Sequence, residues 1–331
     1  MISRRRALGL TGAAALTTGL FGHASAQNPP AQAWPTRVVR LVVPFTAGGS
    51  TDAIARIVAN RLSEIWGQQM VVENRGGGGS NIGHEAVVRS DPDGYTVLIA
   101  SLPLAVNRYL FRTLSYDPVA DLAPVTLICT YPNVMTVPNS SPAKAVMEFV
   151  KYAKASGAKT TFASAGNGTS THLAAELFKR AAGIEMTHVP YRGGGQAIND
   201  LIPGRVDVMF NTMGTALPLV RNGQLRGLAV TSPKRFPTAP DLPTVAESGV
   251  PDFDVSSWAA FLVPAQTPPA ITRKLYTDTS GVLAEAAIRQ RMEHLGVAPE
   301  SSTPAELAAY LKAEMDKWGP VIKQAGISVH D

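Results

Sequence analysis

The sequence predicts an α/β protein of two domains, each a parallel sheet with helices on its faces. Three observations predict it. Apolar, β-branched runs alternate with segments of helical periodicity. That alternation breaks once in mid-chain and then restarts. The chain has 331 residues, more than one ordinary domain needs.

Taken in order, "RVVRLVVPF" is a buried parallel strand, and "TAGGS" turns the chain into the helix "TDAIARIVANRLSEIW". "QMVVEN" is a second strand, followed by the glycine run "RGGGGSNIG" and the helix "HEAVVRS"; "DPDG" turns into a third strand, "YTVLIAS". The pattern then breaks at "YDPVADLAPVTLICTYPNVMTVPNSSP", which holds two extended apolar segments and carries the chain into another domain. A second alternating unit follows: the helix "AKAVMEFVKYAKASG", the strand "TTFASAG", the helix from Ser170 to Gly183, the strand "MTHVPY", the helix "QAINDLIPG" and the strand "RVDVMFN". "LRGLAVTS" is a strand that returns the chain. "SWAAFLVP" and three amphipathic helices finish it, the last opened by a capping box from Thr303 to Glu306. The expected domains are therefore 34–128 with 232–331, and 129–231.

The first 26 residues read as an export signal: a basic start, an apolar middle from Ala7 to Leu20, and the small residues Ala24, Ser25 and Ala26. Cleavage is expected after Ala26, by the Sec or the twin-arginine route, since "SRRRAL" resembles a twin-arginine signal. The apolar middle is too short for a membrane span. Without the three arginines of that signal, 27 basic residues face 25 acidic ones. This near balance gives no support for nucleic-acid binding. The lone Cys129 lies in an apolar run, which excludes an internal disulfide and reads as a small buried hydrophobe.

Two stretches carry the chemistry. "PFTAGGSTDAIARIV" and "GNGTSTHLAAELF" each run from a strand through glycines and small hydroxyl residues into a helix. The first turn of a helix offers unpaired N–H groups and the positive end of a dipole, which favour an anion. Glycines allow close approach, and Ser and Thr add neutral donors. A Ser or Thr at such a place is often only a helix cap. Two such loops at equivalent places in two domains point to a carboxylate held between them, with Thr51 and Ser170 both capping and binding. Tyr191 in "VPYRGGGQA" can pack over a ligand, Arg192 can pair with an acid, and Asp207 can accept from an amine or hydroxyl or tie down a loop. Trp258 lines the cleft mouth or sits in the core.

Other chemistries fail on parts. No Walker A frame, GxSxG or HExxH is present. "GGGGSNIG" lacks the acidic residue of a dinucleotide site and reads as a structural turn. Ser170 and His172 are two apart and point to different faces of a helix. Neither a metal site nor a cofactor is expected. His172 is the one histidine placed near the cleft, in a hydrogen-bonding or capping role.

These stretches, with "VVENRGGGGSNIG", "DPDGYTVLIAS", "HVPYRGGGQAINDLIPGRVDVMF", "LPTVAESGVPDF" and "FLVPAQTP", resemble in order the substrate-binding proteins of tripartite tricarboxylate transporters, the Bug receptors. The resemblance runs from about Trp34 to the C-terminus. It implies a type II periplasmic binding fold with Venus-flytrap closure, no catalysis, a small organic acid held partly through water, and integral membrane subunits as partners. Carried onto this chain, it places one binding loop at Thr46, Ala47, Gly48, Gly49, Ser50, Thr51 and Asp52. The other is Ser164, Ala165, Gly166, Asn167, Gly168, Thr169, Ser170, Thr171 and His172. The chain departs from the family at Gly76, where Pro is frequent. It departs again in the loop of Ser101 and Leu102, where a His or Asn is common. There Leu102, Pro103 and Leu104 suggest a ligand with an apolar or aromatic body rather than citrate. The resulting expectation is a monomeric periplasmic receptor for a small carboxylic acid. A ligand-presenting sensor and a small serine-type hydrolase are the rivals.

Overall fold

The computed structural model describes residues 34–329, and the expected signal segment lies outside them. Residues from Pro35 onward form a single compact unit. Its parallel strands come in two sets of three with the same order. In the first set, β1 (Val39–Val43) lies between β2 (Met70–Asn74) and β3 (Thr96–Ala100). In the second, β5 (Thr161–Ser164) lies between β6 (Thr187–Pro190) and β7 (Val208–Thr212). In each set the chain starts at the central strand, crosses to one side and then to the other. Each central strand feeds one of the glycine-hydroxyl loops: β1 leads into α1 (Ser50–Trp66) and β5 into α5 (Ser170–Ala182).

Two long antiparallel strands join the sets. β4 (Leu122–Pro138) is one strand of 17 residues, where the sequence suggests two segments. Its first part pairs with β9 (Ser256–Pro264), which also pairs with β3. Its last part pairs with β7 and with β8 (Leu225–Val230). The register shifts between Pro124 and Thr126 and again between Leu127 and Cys129, so β4 follows the twist of both sets without ending. Cys129 is fully buried there, and burial pushes its thiol well above the usual range.

The helices take the remaining strand ends. α2 (Asn81–Val88) follows β2, α4 (Val146–Ser156) precedes β5, and α6 (Gly194–Leu201) follows β6. Two helices depart from the sequence reading. α3 (Pro103–Leu110) begins with Pro103 in its first turn, where a missing N–H costs nothing. α7 (Met213–Arg221) holds Gly214 and Pro218, which read locally as breakers, yet buries Met213, Ala216 and Leu217. α8 (Pro269–Ala284), α9 (Ala286–His294) and α10 (Pro304–Ala325) close the chain, with β10 (Ala298–Pro299) on β4. Thr303 and Glu306 make the expected capping box on α10.

One large apolar core underlies this frame, running from Val42 and Leu98 through Met135 to Phe162 and Phe210. Trp258 belongs to it, fully buried, with its indole N–H donating to Glu314. Leu102 and Leu104 belong to it as well, both fully buried. They anchor the first turn of α3 and face no ligand space, which corrects the reading of that trio as a selector of ligand body. No helix among the described residues is long and apolar enough to cross a membrane. Leu104→Ala is expected to lower unfolding free energy by about 2–5 kcal/mol in urea melts, the cost of a core cavity.

Candidate binding site

Three helix starts and three strands meet at one cavity. The first helix start is α1, with Gly49, Ser50 and Thr51 on the cavity wall. The second is α5, with Thr169, Ser170 and Thr171, preceded by Ala165. The third is α6, through Gly194. The floor is set by strand register. Tyr131 on β4 lies opposite Ser257 on β9, and two residues on Asn133 lies opposite Thr212 on β7. Residues two apart on a strand share a face, so Tyr131, Ser257 and Thr212 all line the cavity. Phe45 and Ser101 complete it. No lining side chain carries a formal charge, and most carry a hydroxyl.

The first loop is held by its own acid. Asp52 is buried, accepting from the Gly48 N–H at 3.1 Å, from Arg56 at 3.0 Å and from Asn74 at 2.9 Å. Burial pushes its carboxyl up, but these donors outweigh it and hold the group below the usual range. Asp52 therefore fixes the loop and does not face the cavity. The residue in the cap position of α1 is Gly49, not Thr51. Ser50 instead reaches across, its hydroxyl 2.6 Å from Thr212 and 2.8 Å from Thr215 of α7.

The second loop is capped by Thr169, whose hydroxyl accepts from the His172 N–H at 3.3 Å; Ser170 is already inside the helix. Thr171 accepts from the Ala165 N–H at 2.8 Å. His172 takes the Gly168 N–H on Nδ1 at 3.3 Å. Its ring stacks on His188 with centroids 4.4 Å apart, and His188 stacks on Phe162 at 4.6 Å. Burial, then the neighbouring His188 and Lys179, pushes His172 down to about 3. Burial, then Lys179, pushes His188 down to about 4. Both rings are thus neutral supports behind the loop.

The two loops touch other loops closely. The Thr46 N–H donates to the Arg192 carbonyl at 3.2 Å. A Cβ on Gly193 would fall 2.3 Å from the Thr46 hydroxyl, and one on Gly195 would fall 2.7 Å from the Ala47 carbonyl. A Cβ on Gly168, at φ +75°, would meet Asn107 Oδ1 at 2.3 Å. So Thr46, Ala47 and Gly48 form contacts at the mouth rather than the wall. The space left inside for the centre of a water-sized sphere is about 30 Å³, room for roughly two waters. That space is smaller than a dicarboxylic acid occupies.

Several candidates lie elsewhere. Asp207 precedes β7, so it sits at the amino ends of the strands, opposite the cavity. It accepts from Tyr152 at 2.9 Å and from the Thr161 N–H at 2.7 Å, the loop-tying role. Tyr191 donates to Asp200 at 2.6 Å and, with Gly166, Asn167 and Arg192, lines an outer groove beside the cavity. Ser164 is fully buried, 2.6 Å from His188 Nε2, and also accepts from the Gly166 N–H. Ser164 is closed off from solvent, His188 is half-buried, and the pair braces the loop. The sequence reading missed Phe45, Tyr131, Thr212 and Ser257, while the glycine turn that holds Gly194 reads as a helix start at a strand's carboxyl end. Polar residues at alternate positions of the apolar run "TYPNV" are the local signal for the floor.

Comparison with known proteins follows the same lines. The model of the tripartite tricarboxylate transporter family receptor matches residues 54–327. A UPF0065 protein from the tcbD–tcbE intergenic region of Pseudomonas sp. strain P51 is 38% identical over 322 residues, covering 97% of this chain and 94% of its own. Among solved structures, Rpa4515 of Rhodopseudomonas palustris with adipate is 38% identical. It superposes with a TM-score of 0.87 over 89% of this chain and all of its own, 100%. MatC (Rpa3494) from the same organism, with bound malate, is 31% identical with a TM-score of 0.84, over 87% of this chain and 100% of its own.

The buried histidines make a pH prediction. His172, His188 and His84 all sit below the ordinary value of 6.5 in the fold, so between pH 6.5 and about 4 the unfolded chain binds more protons. Stability is expected in full above pH 6.5 and to fall as pH drops toward 4. Thermal melts across that window check it, and His172→Asn should show a smaller slope.

Proposed function

Because the chain belongs to the tripartite tricarboxylate transporter receptor family, whose members are solute-binding receptors and not enzymes, we propose that it captures a small organic carboxylate in this cavity. In this reading it then delivers the acid to the integral membrane subunits of a tripartite tricarboxylate-type transporter. Receptors of this family are periplasmic, and the export signal expected at residues 1–26 accords with that address. The observation that carries the proposal is the cavity itself. Three helix starts converge on a wall of hydroxyls that holds no charged side chain. Main-chain N–H groups and helix dipoles suit an anion, and no carboxylate lines the cavity to pair with a cation. Adipate in Rpa4515 and malate in MatC are small carboxylates held by relatives of similar fold.

Two movable lobes follow from the same proposal, 34–128 with 232–331 and 129–231. The crossings fall in the middle of β4 and just after β8. At Thr231 the main chain and the side chain both bond to Asn133, and the side chain also bonds to Val255. Rotation about these crossings parts the loops at the mouth, admits the acid and closes over it. Binding then stabilises the closed form, which the membrane subunits read. The apolar body of the acid lies against Phe45 and Tyr131, the aromatic part of the lining.

Calorimetry with adipate, malate, benzoate and citrate tests the reading. Saturable binding of at least one acid is expected, and failure of all four at millimolar concentration would sink it. Gly195→Ala should weaken that binding at least tenfold, because its methyl props the first loop away from α6. Its melting temperature without acid should fall as well, because the atom met at 2.7 Å is the Ala47 main-chain carbonyl, so the affinity is compared only under conditions where the variant is folded. Unchanged affinity would show that this contact does not form in the bound state.

A further inference from the structure

Asn133 is fully buried on β4, next to the cavity lining but not itself part of it. Register sets it opposite Thr212, with Tyr131 two residues before it on the same face of β4. Tyr131 and Thr212 both line the cavity, so the Asn133 carboxamide stands on the cavity side of the sheet. Its main chain is tied to Thr231. The N–H donates to Thr231 Oγ1 at 2.8 Å, and the carbonyl accepts from the Thr231 N–H at 2.9 Å and from its hydroxyl at 3.2 Å.

The side chain is only half satisfied. Oδ1 accepts from the Ser170 hydroxyl at 3.1 Å, while Nδ2 is buried with no partner. Leaving a buried donor unpaired is costly, so native proteins rarely do it without a reason. The Ser170 hydroxyl has one proton, and that proton is committed to Asn133. Ser170 therefore cannot also donate to an anion in this arrangement, although it is the hydroxyl that the sequence singles out. What the pair offers an incoming acid is the amide N–H, held by the Ser170 bond with its nitrogen free.

We propose that Asn133 is a ligand-reading residue of this cavity, whose Nδ2 donates to a carboxylate oxygen of the bound acid. The proposal rests on the carboxylate reading above and names a donor on the floor beside the helix starts on the wall. It also ties the ligand to the crossing strands. The same residue that meets the acid bonds through its main chain to Thr231, where the chain leaves the second set of strands.

The test uses the mature protein with adipate and malate as probes. For whichever acid the wild type binds, Asn133→Ala should raise Kd at least tenfold. Asn133→Asp should raise it at least a hundredfold at neutral pH, since an acceptor then faces the carboxylate. Melting temperatures without acid check that each variant folds. The side-chain amide resonance of Asn133, identified by its loss in Asn133→Ala, should shift on saturation with acid; a role confined to bracing Ser170 would leave it in place. If Asn133→Asp does not fold, the alanine variant and the resonance decide. A wild type that binds acid, with Asn133→Ala within twofold of it or with the amide resonance unmoved, overturns the Asn133 assignment alone. A wild type that binds neither these acids nor benzoate or citrate overturns the carboxylate reading, and this assignment with it.

Discussion

The first turn of every helix carries N–H groups with no carbonyl behind them, and the cavity depends on where this protein puts those groups. Parallel strands leave each connecting helix starting at the carboxyl end of a sheet. Two sets with the same strand order, joined through long antiparallel strands, bring the helix starts of both sets to one place. The doubled loop is thus a consequence of a doubled strand order. α1 and α5 follow the two central strands, and α6 adds a third helix start from the second set.

Glycine is what lets those starts meet. The loops around Thr46, Gly48, Gly193 and Gly195 approach so closely that a single Cβ would overlap main-chain or hydroxyl atoms. Bulk is excluded at the mouth, and rigidity is supplied from behind. Asp52 with Arg56 and Asn74 braces the first loop, and the stacked Phe162, His188 and His172 brace the second. The charged groups and the histidines nearest the cavity therefore face away from it. Their work is to hold backbone in place, and the backbone makes the offer to the ligand.

The alternation of strands and helices made the fold class legible, because each element had a long enough period. The walls were legible too, since Gly49, Ser50, Thr51 and Thr169 to Thr171 sit where a strand ends and a helix begins. The floor was not. Tyr131, Thr212 and Ser257 come from three strands far apart in sequence; the alternation in "TYPNV" hints at one of them, but which strands share that face is a matter of register. Leu102 looked like loop because Pro103 reads as a breaker, although Pro suits the first turn of a helix and the neighbouring leucines are core. Asp207 shows a different error. It comes before its strand, and the amino end of a parallel strand is the end away from the ligand side.

A site that holds an anion with dipoles and neutral donors differs in kind from one that uses a buried arginine. A buried cation must be desolvated whether or not its ligand is present, and an empty site would leave it unpaired. Hydroxyls have no such penalty to the same degree, because they pair among themselves, as Ser50 does with Thr212 and Thr215 and Thr169 with Thr171. Binding an acid then exchanges one set of hydrogen bonds for another. The gain per contact is modest, so in the proposed mechanism affinity comes from closure that brings many donors to bear together. Opening removes those donors together as well. For the transport role proposed above, that reversibility matters more than a single strong charge pair.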